Sequence, residues 1–177
     1  MFLEEIFSTP IYGFDLELDV DSIRYWCYSV LKENPGRQIS NIGGWQSEDF
    51  REFGNTPLTD LILYAVKESH NIAKDLGIPE GDRWVENLWI NINPKYSYNQ
   101  VHVHPEARLS GVFYVSAPEN SGDICFTRSG GYALGTAAPN STRYSSCEWC
   151  YPPKKNRLLI FPAWQEHHAK ANLSDED

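Results

Sequence analysis

Residues 99–105 read NQVHVHP, and this short stretch decides how the rest of the chain is interpreted. Alternate residues of a β-strand point to the same face, about 6.6 Å apart at a rise of about 3.3 Å per residue. In a strand over Gln100–His104, His102 and His104 project together, while Val101 and Val103 face the opposite layer. Two imidazoles on one face can hold one metal ion, so the spacing predicts part of a metal site.

His167 is predicted to be the third ligand. This residue follows an apolar strand predicted over Arg157–Phe161 and a turn formed by residues 162–164. The resulting set of His102, His104 and His167 predicts a catalytic three-histidine metal site. Imidazole suits zinc, copper, iron and nickel alike, and three histidines with an open position also describe a catalytic zinc site. Residue types alone therefore leave the metal open.

The remaining histidines and the cysteines are interpreted more simply. His70 stands alone on the flank of a predicted helix, where an ordinary hydrogen-bonded side chain is expected. Cys147 and Cys150 form a C-x-x-C, which could be half of a zinc ribbon or a redox pair. Cys27 and Cys125 stand alone and supply no second half. We therefore expect no metal at the C-x-x-C.

Composition limits the classes of protein that the chain can be. The 177 residues carry a net charge of -9 and are 41% hydrophobic, as in a globular domain. The negative charge argues against nucleic-acid binding, and no apolar run approaches the ~20 residues that span a bilayer. The first five residues, MFLEE, carry acids where a secretory signal would be positive. These features predict a cytoplasmic protein with no membrane contact, and the absence of repeats or linkers predicts a single domain over residues 1–177.

Periodicity predicts helices first and strands afterwards. An opening strand within residues 8–18 precedes a helix that Asp19 or Asp21 caps and that ends at Asn34. A loop around Trp45 then leads to a second helix, which starts at residues 56–57 and stops at Gly77. From there the pattern has period two, with short strands predicted over Trp84–Asn93, Gln100–His104, Leu109–Val115, Asp123–Phe126 and Arg157–Phe161. The order predicts an antiparallel barrel or sandwich, with helices mainly in residues 19–76 and strands mainly in residues 84–170.

Four ordered motifs carry a family resemblance. They read NQVHVHP at 99–105, LSGVFYV at 109–115, FPAWQEH at 161–167 and NLSDED at 172–177, supported by GGWQS at 43–47 and WININ at 89–93. Together they resemble the 2-oxoglutarate/Fe(II) oxygenases related to prolyl hydroxylases, which are common in phage and bacterial genomes. The resemblance implies a double-stranded β-helix, or jelly-roll barrel, with Fe(II) at its mouth. It also implies oxidative decarboxylation of 2-oxoglutarate by O2 to succinate and CO2, coupled to hydroxylation of a peptide side chain, a protein side chain or a small molecule.

The resemblance also implies roles for single residues. His102 is the first iron ligand and His167 the distal one, while His104 stands where many relatives carry Asp in an H-x-D motif. Glu106 and Glu166 are the carboxylates that could complete a two-histidine, one-carboxylate triad instead.

Further residues are candidates for binding 2-oxoglutarate. Tyr114 stands where relatives place a tyrosine that binds the far carboxylate, and strand parity puts Ser110 on its face. Asn91 and Asn93 share a face and could line the site. A core role for Tyr114 and the two asparagines is equally compatible with the sequence.

One departure from the family concerns the far carboxylate of 2-oxoglutarate. Relatives place an arginine on a last strand, shortly after the Asn-x-Ser-rich segment, whereas this chain ends at Asp177. We therefore expect a truncated sequence, or else a substitute cation such as Lys170 or Arg108. The rival hypotheses are a cupin-like three-histidine enzyme, either a thiol dioxygenase or a zinc hydrolase, and a non-catalytic jelly-roll binding module.

Overall fold

The computed structural model describes residues 1–79, 81, 85–128 and 142–177. In this part of the chain two helices precede most of the strands. The elements are β1 (Tyr12–Asp15), α1 (Val20–Glu33), β2 (Asn41–Ile42), β3 (Trp45–Gln46), α2 (Thr59–Asp75), β4 (Asn91–Ile92), β5 (Tyr98–His102), β6 (Leu109–Phe113), β7 (Ile124–Thr127), β8 (Glu148–Tyr151), β9 (Arg157–Pro162) and β10 (His167–Ala169).

Helix α1 forms as the sequence predicts. The Asp19 carboxylate accepts a hydrogen bond from the Ser22 amide at 3.1 Å, which satisfies one of the free N–H groups of the first turn. Ile23 and Cys27 lie one turn apart and are both buried. The helix ends before Asn34, which is extended.

Helix α2 begins at Thr59, so the predicted start, with Thr56 as the cap and Pro57 as the first helical residue, is wrong by two residues. Pro57 and Leu58 form a turn instead, and the Thr56 hydroxyl accepts the Leu58 amide at 3.3 Å. The helix ends at Asp75, and Gly77 follows with a φ of +64°, a left-handed conformation that favours glycine. The predicted end is confirmed.

The strands form antiparallel sheets. A five-stranded sheet has the order β2-β5-β10-β7-β8, a three-stranded sheet has the order β1-β9-β6, and β3 pairs with β4. Strand β9 is apolar on both faces because it lies in the middle layer of the molecule. Leu158 and Ile160 pack with the helices, while Leu159 and Phe161 pack against Phe126 of the five-stranded sheet.

Several strands differ from their predicted extents. β5 ends at His102, so His104 lies beyond the strand rather than within it. The loop predicted around Trp45 contains β2 and β3, and the strand predicted over Trp84–Asn93 is reduced to β4 and one bridge at Leu88. Trp84 itself lies outside the described residues. β8 and β10 were not predicted, because their sequences, EWCY and HHA, do not alternate between apolar and polar residues.

The predicted class, mainly β with flanking helices in a double-stranded β-helix, is confirmed, although the described strands do not close a barrel. β6 pairs with β9 and β4 pairs with β3, and no ladder joins β6 to β4 in the part of the chain that the structure describes. A cavity of about 920 Å³ has both β4 and β6 in its lining and reaches His102 and His167. Strands β4 and β6 therefore both border the site.

The interpretation of Cys125 as an isolated cysteine is wrong. Cys125 of β7 and Cys150 of β8 are register partners and form a disulfide, with their Cα atoms 4.0 Å apart. Cys150 is thus bonded to a cysteine on the neighbouring strand rather than to Cys147, which is free and exposed.

Neither helix that the structure describes has the length and apolar composition needed to cross a membrane.

Candidate metal centre

Three histidines meet between the two larger sheets. His102 on β5 and His167 on β10 are register partners, and their ring centroids lie 4.3 Å apart. The ring centroid of His104 is 5.1 Å from each of the others. The donor nitrogens of the three side chains all lie within 4.8 Å of one another, close enough to bind one ion.

Backbone pairing produces this convergence. The antiparallel pairing of β5 with β10 places His167 directly opposite His102. His104 lies just after β5, and its amide donates to the Ala163 carbonyl at 2.9 Å, which holds it beside the turn before β10. Since neighbouring residues of a strand face opposite sides, His168 points away from the cluster.

Two of the rings are fixed in one orientation by the backbone. His102 Nδ1 lies 2.7 Å from the Gln100 carbonyl oxygen, and His167 Nδ1 lies 2.8 Å from the Gln165 carbonyl oxygen. A carbonyl can only accept, so each Nδ1 carries the hydrogen and each Nε2 keeps a free lone pair. Fixing the tautomer in this way is a common feature of metal-binding histidines.

Burial keeps two of the three imidazoles, those of His104 and His167, neutral. Burial lowers the pKa of His167 to about 4, and the neighbouring imidazoles contribute in the same direction. The pKa of His104 is lowered as well, first by burial and then by His102. Both rings are therefore unprotonated at neutral pH, which is the form that coordinates metals.

Aromatic side chains surround the histidines. The rings of Phe161 and Phe126 lie 4.8 and 6.2 Å from the ring of His167. The Trp89 ring lies 5.4 Å from that of His104. These contacts shield one side of the cluster from water.

The alternative carboxylates do not join the cluster. Among the described residues, neither Glu106 nor Glu166 belongs to the group of donor atoms within 4.8 Å. Glu106 is exposed at the cavity rim, and Glu166 precedes His167 on the opposite face. The geometry favours three nitrogen ligands over a triad with a carboxylate.

Tyr114 and Ser110 both line the cavity. Tyr114 and Val112 pack against Phe126 and Phe161, so this face of β6 points into the space between the sheets, as its parity predicts. Burial raises the pKa of Tyr114, and the charge of Asp123 adds to the effect. The phenol thus stays protonated, and its hydroxyl has no hydrogen-bond partner among the described residues.

Asn91 and Asn93 line the cavity as well, but their surroundings differ. Asn91 is exposed, whereas Asn93 donates to Asn99 Oδ1 at 3.0 Å and its own Oδ1 is buried without a partner in the described residues. Ile90 and Ile92 face the helices, so the predicted alternation along this segment is correct.

Of the two substitute cations, only one lies at the cavity. Arg108 lines it, whereas Lys170 shares the outward face with His168 and contacts Glu148 at 3.5 Å. Sequence reasoning missed Arg24 and Arg51, which also line the cavity. Nothing in the linear sequence signals that α1 and the loop before α2 reach this space.

The chain is similar to known proteins both in sequence and in fold. Residues 87–177 match the family model described as "Putative 2OG-Fe(II) oxygenase", and the chain belongs to this family of 2-oxoglutarate/Fe(II) oxygenases. The crystal structure of a Pseudomonas putida prolyl-4-hydroxylase is similar, with a TM-score of 0.65 and 12% sequence identity over 93% of this chain and 86% of that chain. That likeness shows the shared fold. No curated protein matches the chain.

The protein is therefore a 2-oxoglutarate-dependent dioxygenase, an oxidoreductase whose cofactor is Fe(II) and whose co-substrates are 2-oxoglutarate and O2. Family membership decides between iron and the other metals that three histidines could hold. It also favours this enzyme over the cupin-like and binding-module hypotheses.

Proposed function

We propose that His102, His104 and His167 hold the ferrous ion and that the enzyme hydroxylates a side chain of a peptide or protein. The observation that carries the ligand assignment is the convergence of the three donor nitrogens within 4.8 Å. Two of the rings already have Nδ1 bonded to a backbone carbonyl, so little side-chain freedom is lost when Nε2 coordinates.

The donor set fits the metal. Imidazole nitrogen is a suitable ligand for iron, and a set of three protein ligands leaves coordination positions open for co-substrates. When bound, the ferrous ion supplies the redox chemistry that couples decarboxylation of 2-oxoglutarate by O2 to hydroxylation of a C–H bond. The protein's own contribution is to hold neutral imidazoles in place and to keep water away through Phe126 and Phe161.

Tyr114 is our candidate for binding a carboxylate of 2-oxoglutarate, with Ser110 beside it on the same face of β6. A protonated phenol can donate to a carboxylate, and charge-assisted hydrogen bonds of this kind are short and strong. Asn93 offers a second polar contact in the same cavity, and Arg108 is a cation that could pair with the dianion. Asn91 is a weaker candidate because it is exposed.

The choice of a peptide or protein substrate rests on kinship. The similar solved structure is that of a prolyl-4-hydroxylase, and the cavity is not fully enclosed. An open site accommodates a chain that extends beyond the reacting residue.

Release of succinate from 2-oxoglutarate in the presence of Fe(II), O2 and a peptide library tests the proposal. We expect His167→Ala to reduce iron affinity and turnover by about 100-fold or more, since it removes a ligand outright. His70→Ala is the matched control, because His70 lies on α2 with its Nδ1 2.8 Å from the Val66 carbonyl oxygen. Equal loss in both variants, or wild-type iron binding in His167→Ala, would contradict the ligand assignment.

Tyr114→Phe tests the co-substrate contact separately. Loss of one charge-assisted hydrogen bond is expected to raise the KM for 2-oxoglutarate by about tenfold, with iron affinity unchanged. Val112→Ala, a neighbouring change on the same face, controls for loss of packing. An unchanged KM in Tyr114→Phe would assign Tyr114 to the core instead.

A further inference from the structure

A second group of metal-binding side chains lies on the outer face of the five-stranded sheet, opposite the three histidines. Cys125 of β7 and Cys150 of β8 are joined there, and Glu148 lies two residues before Cys150 on the same face. The two sulfurs and a Glu148 oxygen all lie within 4.8 Å of one another.

His168 lies beside this group on the neighbouring strand, although it is outside the set of donors that all lie within 4.8 Å of one another. It is the register partner of Cys125, and its Nε2 lies 3.4 Å from Glu148 Oε1. Paired strands are about 4.8 Å apart, so the imidazole and the two sulfurs lie in one row across three strands, and the Glu148 carboxylate lies beside that row, two residues along β8. Lys170 Nζ also approaches this carboxylate, at 3.5 Å from Glu148 Oε2.

The contact between Cys150 and Glu148 is not a hydrogen bond while Cys150 is in a disulfide. The Sγ atom of Cys150 lies 3.1 Å from Glu148 Oε2, yet a sulfur in a disulfide carries no hydrogen to donate. In the dithiol form the same pair gains either a thiol hydrogen or a cation between them. Two thiolates with an imidazole and a carboxylate are a donor set that Zn²⁺ and other soft divalent ions prefer, with Zn–S bonds of about 2.3 Å.

We infer that Cys125, Cys150, His168 and Glu148 form a second metal site, which binds a soft divalent cation such as Zn²⁺ when the disulfide is reduced. Two equivalents of a small thiol reduce the disulfide, giving two cysteine thiols and one oxidised thiol dimer. Metal binding then displaces the two thiol protons to solvent. In a reducing compartment the dithiol is the expected form, so the site would be available there.

Cobalt(II) is the probe that separates this site from the three histidines. Only a sulfur ligand gives the near-ultraviolet thiolate-to-cobalt absorption, which three imidazoles cannot produce. The full chain, fully reduced, is expected to bind one thiolate-ligated Co²⁺, and the chain oxidised with a disulfide such as oxidised glutathione is expected to show no such absorption. The absorption should persist in His167→Ala, where the three-histidine cluster is broken. Its absence from reduced protein would overturn the inference, as would its loss in His167→Ala.

Variants assign the ligands. Combined Cys125→Ser and Cys150→Ser changes should abolish the absorption, whereas Cys147→Ser, a change at the exposed free cysteine, should leave it intact. His168→Gln and Glu148→Gln each retain both sulfurs and should weaken Co²⁺ binding by about tenfold or more, so they test the site even if the double variant fails to fold. Dependence on Cys147, or unchanged affinity in both single variants, would overturn the assignment. None of these outcomes depends on the proposed function.

Discussion

The three histidines of the candidate centre are not equivalent. His102 and His167 each place Nδ1 against the carbonyl oxygen two residues earlier, at 2.7 and 2.8 Å, so their rings are held before any ion binds. His104 has no such bond among the described residues and rests against Trp89 instead. We therefore expect His104 to tolerate substitution better than the other two.

His104→Asp is the change that tests this inequality. Family relatives often carry Asp at this place, and a carboxylate adds an attractive charge that offsets the loss of one nitrogen ligand. Iron affinity and succinate formation are expected to stay within about tenfold of the wild type, whereas His102→Asp should lose at least about 100-fold. Isothermal calorimetry with Fe(II) under anaerobic conditions gives the affinities. Similar losses in the two variants would mean that the three rings contribute equally.

Acid should destabilise the metal-free protein through His167. Its pKa is lowered to about 4, so between about pH 6.5 and pH 4 the unfolded chain binds a proton that the folded protein does not. The free energy of unfolding therefore decreases as the pH is lowered through that window, by about 2 kcal/mol from pH 7 to pH 5 for this residue. Urea unfolding at the two pH values measures the change. His167→Asn should show the smaller pH dependence, and a parallel decline in both proteins would exclude His167 as the cause.

At the scale of single residues, the sequence predicted which side chains carry the chemistry but not how they are held. The H-x-H spacing and the strand-end position of His167 sufficed to select the three histidines. The Nδ1 contacts depend on where the Gln100 and Gln165 carbonyls point, which no side-chain pattern encodes. Lys170 was considered a substitute cation, yet the parity of β10 turns it outward, to Glu148.

Among the secondary-structure elements, the turn between β9 and β10 fixes the position of His167. Gln165 in this turn is buried, and its side-chain amide donates to the Thr127 carbonyl at 2.6 Å and the Glu166 carbonyl at 2.9 Å. The same residue supplies the carbonyl that fixes the ring of His167. Gln165 thus links β7, β10 and the metal centre.

Gln165→Ala should affect both stability and metal binding. Leaving the half-buried Thr127 carbonyl without its donor costs about 1 kcal/mol, and freeing the turn is expected to lower iron affinity by about tenfold. Guanidinium unfolding and Fe(II) calorimetry measure the two effects. Trp164→Ala changes an exposed neighbour in the same turn and serves as the control. Stability loss with unchanged iron affinity would limit Gln165 to a structural role.

The long helices, which show a clear period, were predicted well, whereas the shortest strands were not. Ile23 and Cys27 of α1, and Leu61 and Ile72 of α2, show the helical spacing that located both helices. β2 and β3 have two residues each and exist because β5 and β4 pair with them. Such strands depend on a distant partner, so their own sequence could not reveal them. The Cys125–Cys150 bond was missed for the same reason.

The molecule as a whole has three layers: the two helices, the three-stranded sheet and the five-stranded sheet. The continuous apolar run of β9 is explained by its burial on both faces, by the helices and by the five-stranded sheet. The order of helices and strands in the sequence was enough to predict this arrangement.

The unpaired side of β6 has a consequence for amide hydrogen exchange. The Tyr114 amide donates to the Arg157 carbonyl, so Ser110 and Val112, which share its parity, also direct their amides towards β9. The amides of Gly111 and Phe113 point the other way, where the described residues offer no backbone acceptor. Exchange measured residue by residue should thus alternate along β6, slow at even numbers and fast at odd ones. Uniform protection would show that the edge is covered in solution, and a peptide substrate that slows only the odd positions would reveal a strand-like mode of binding.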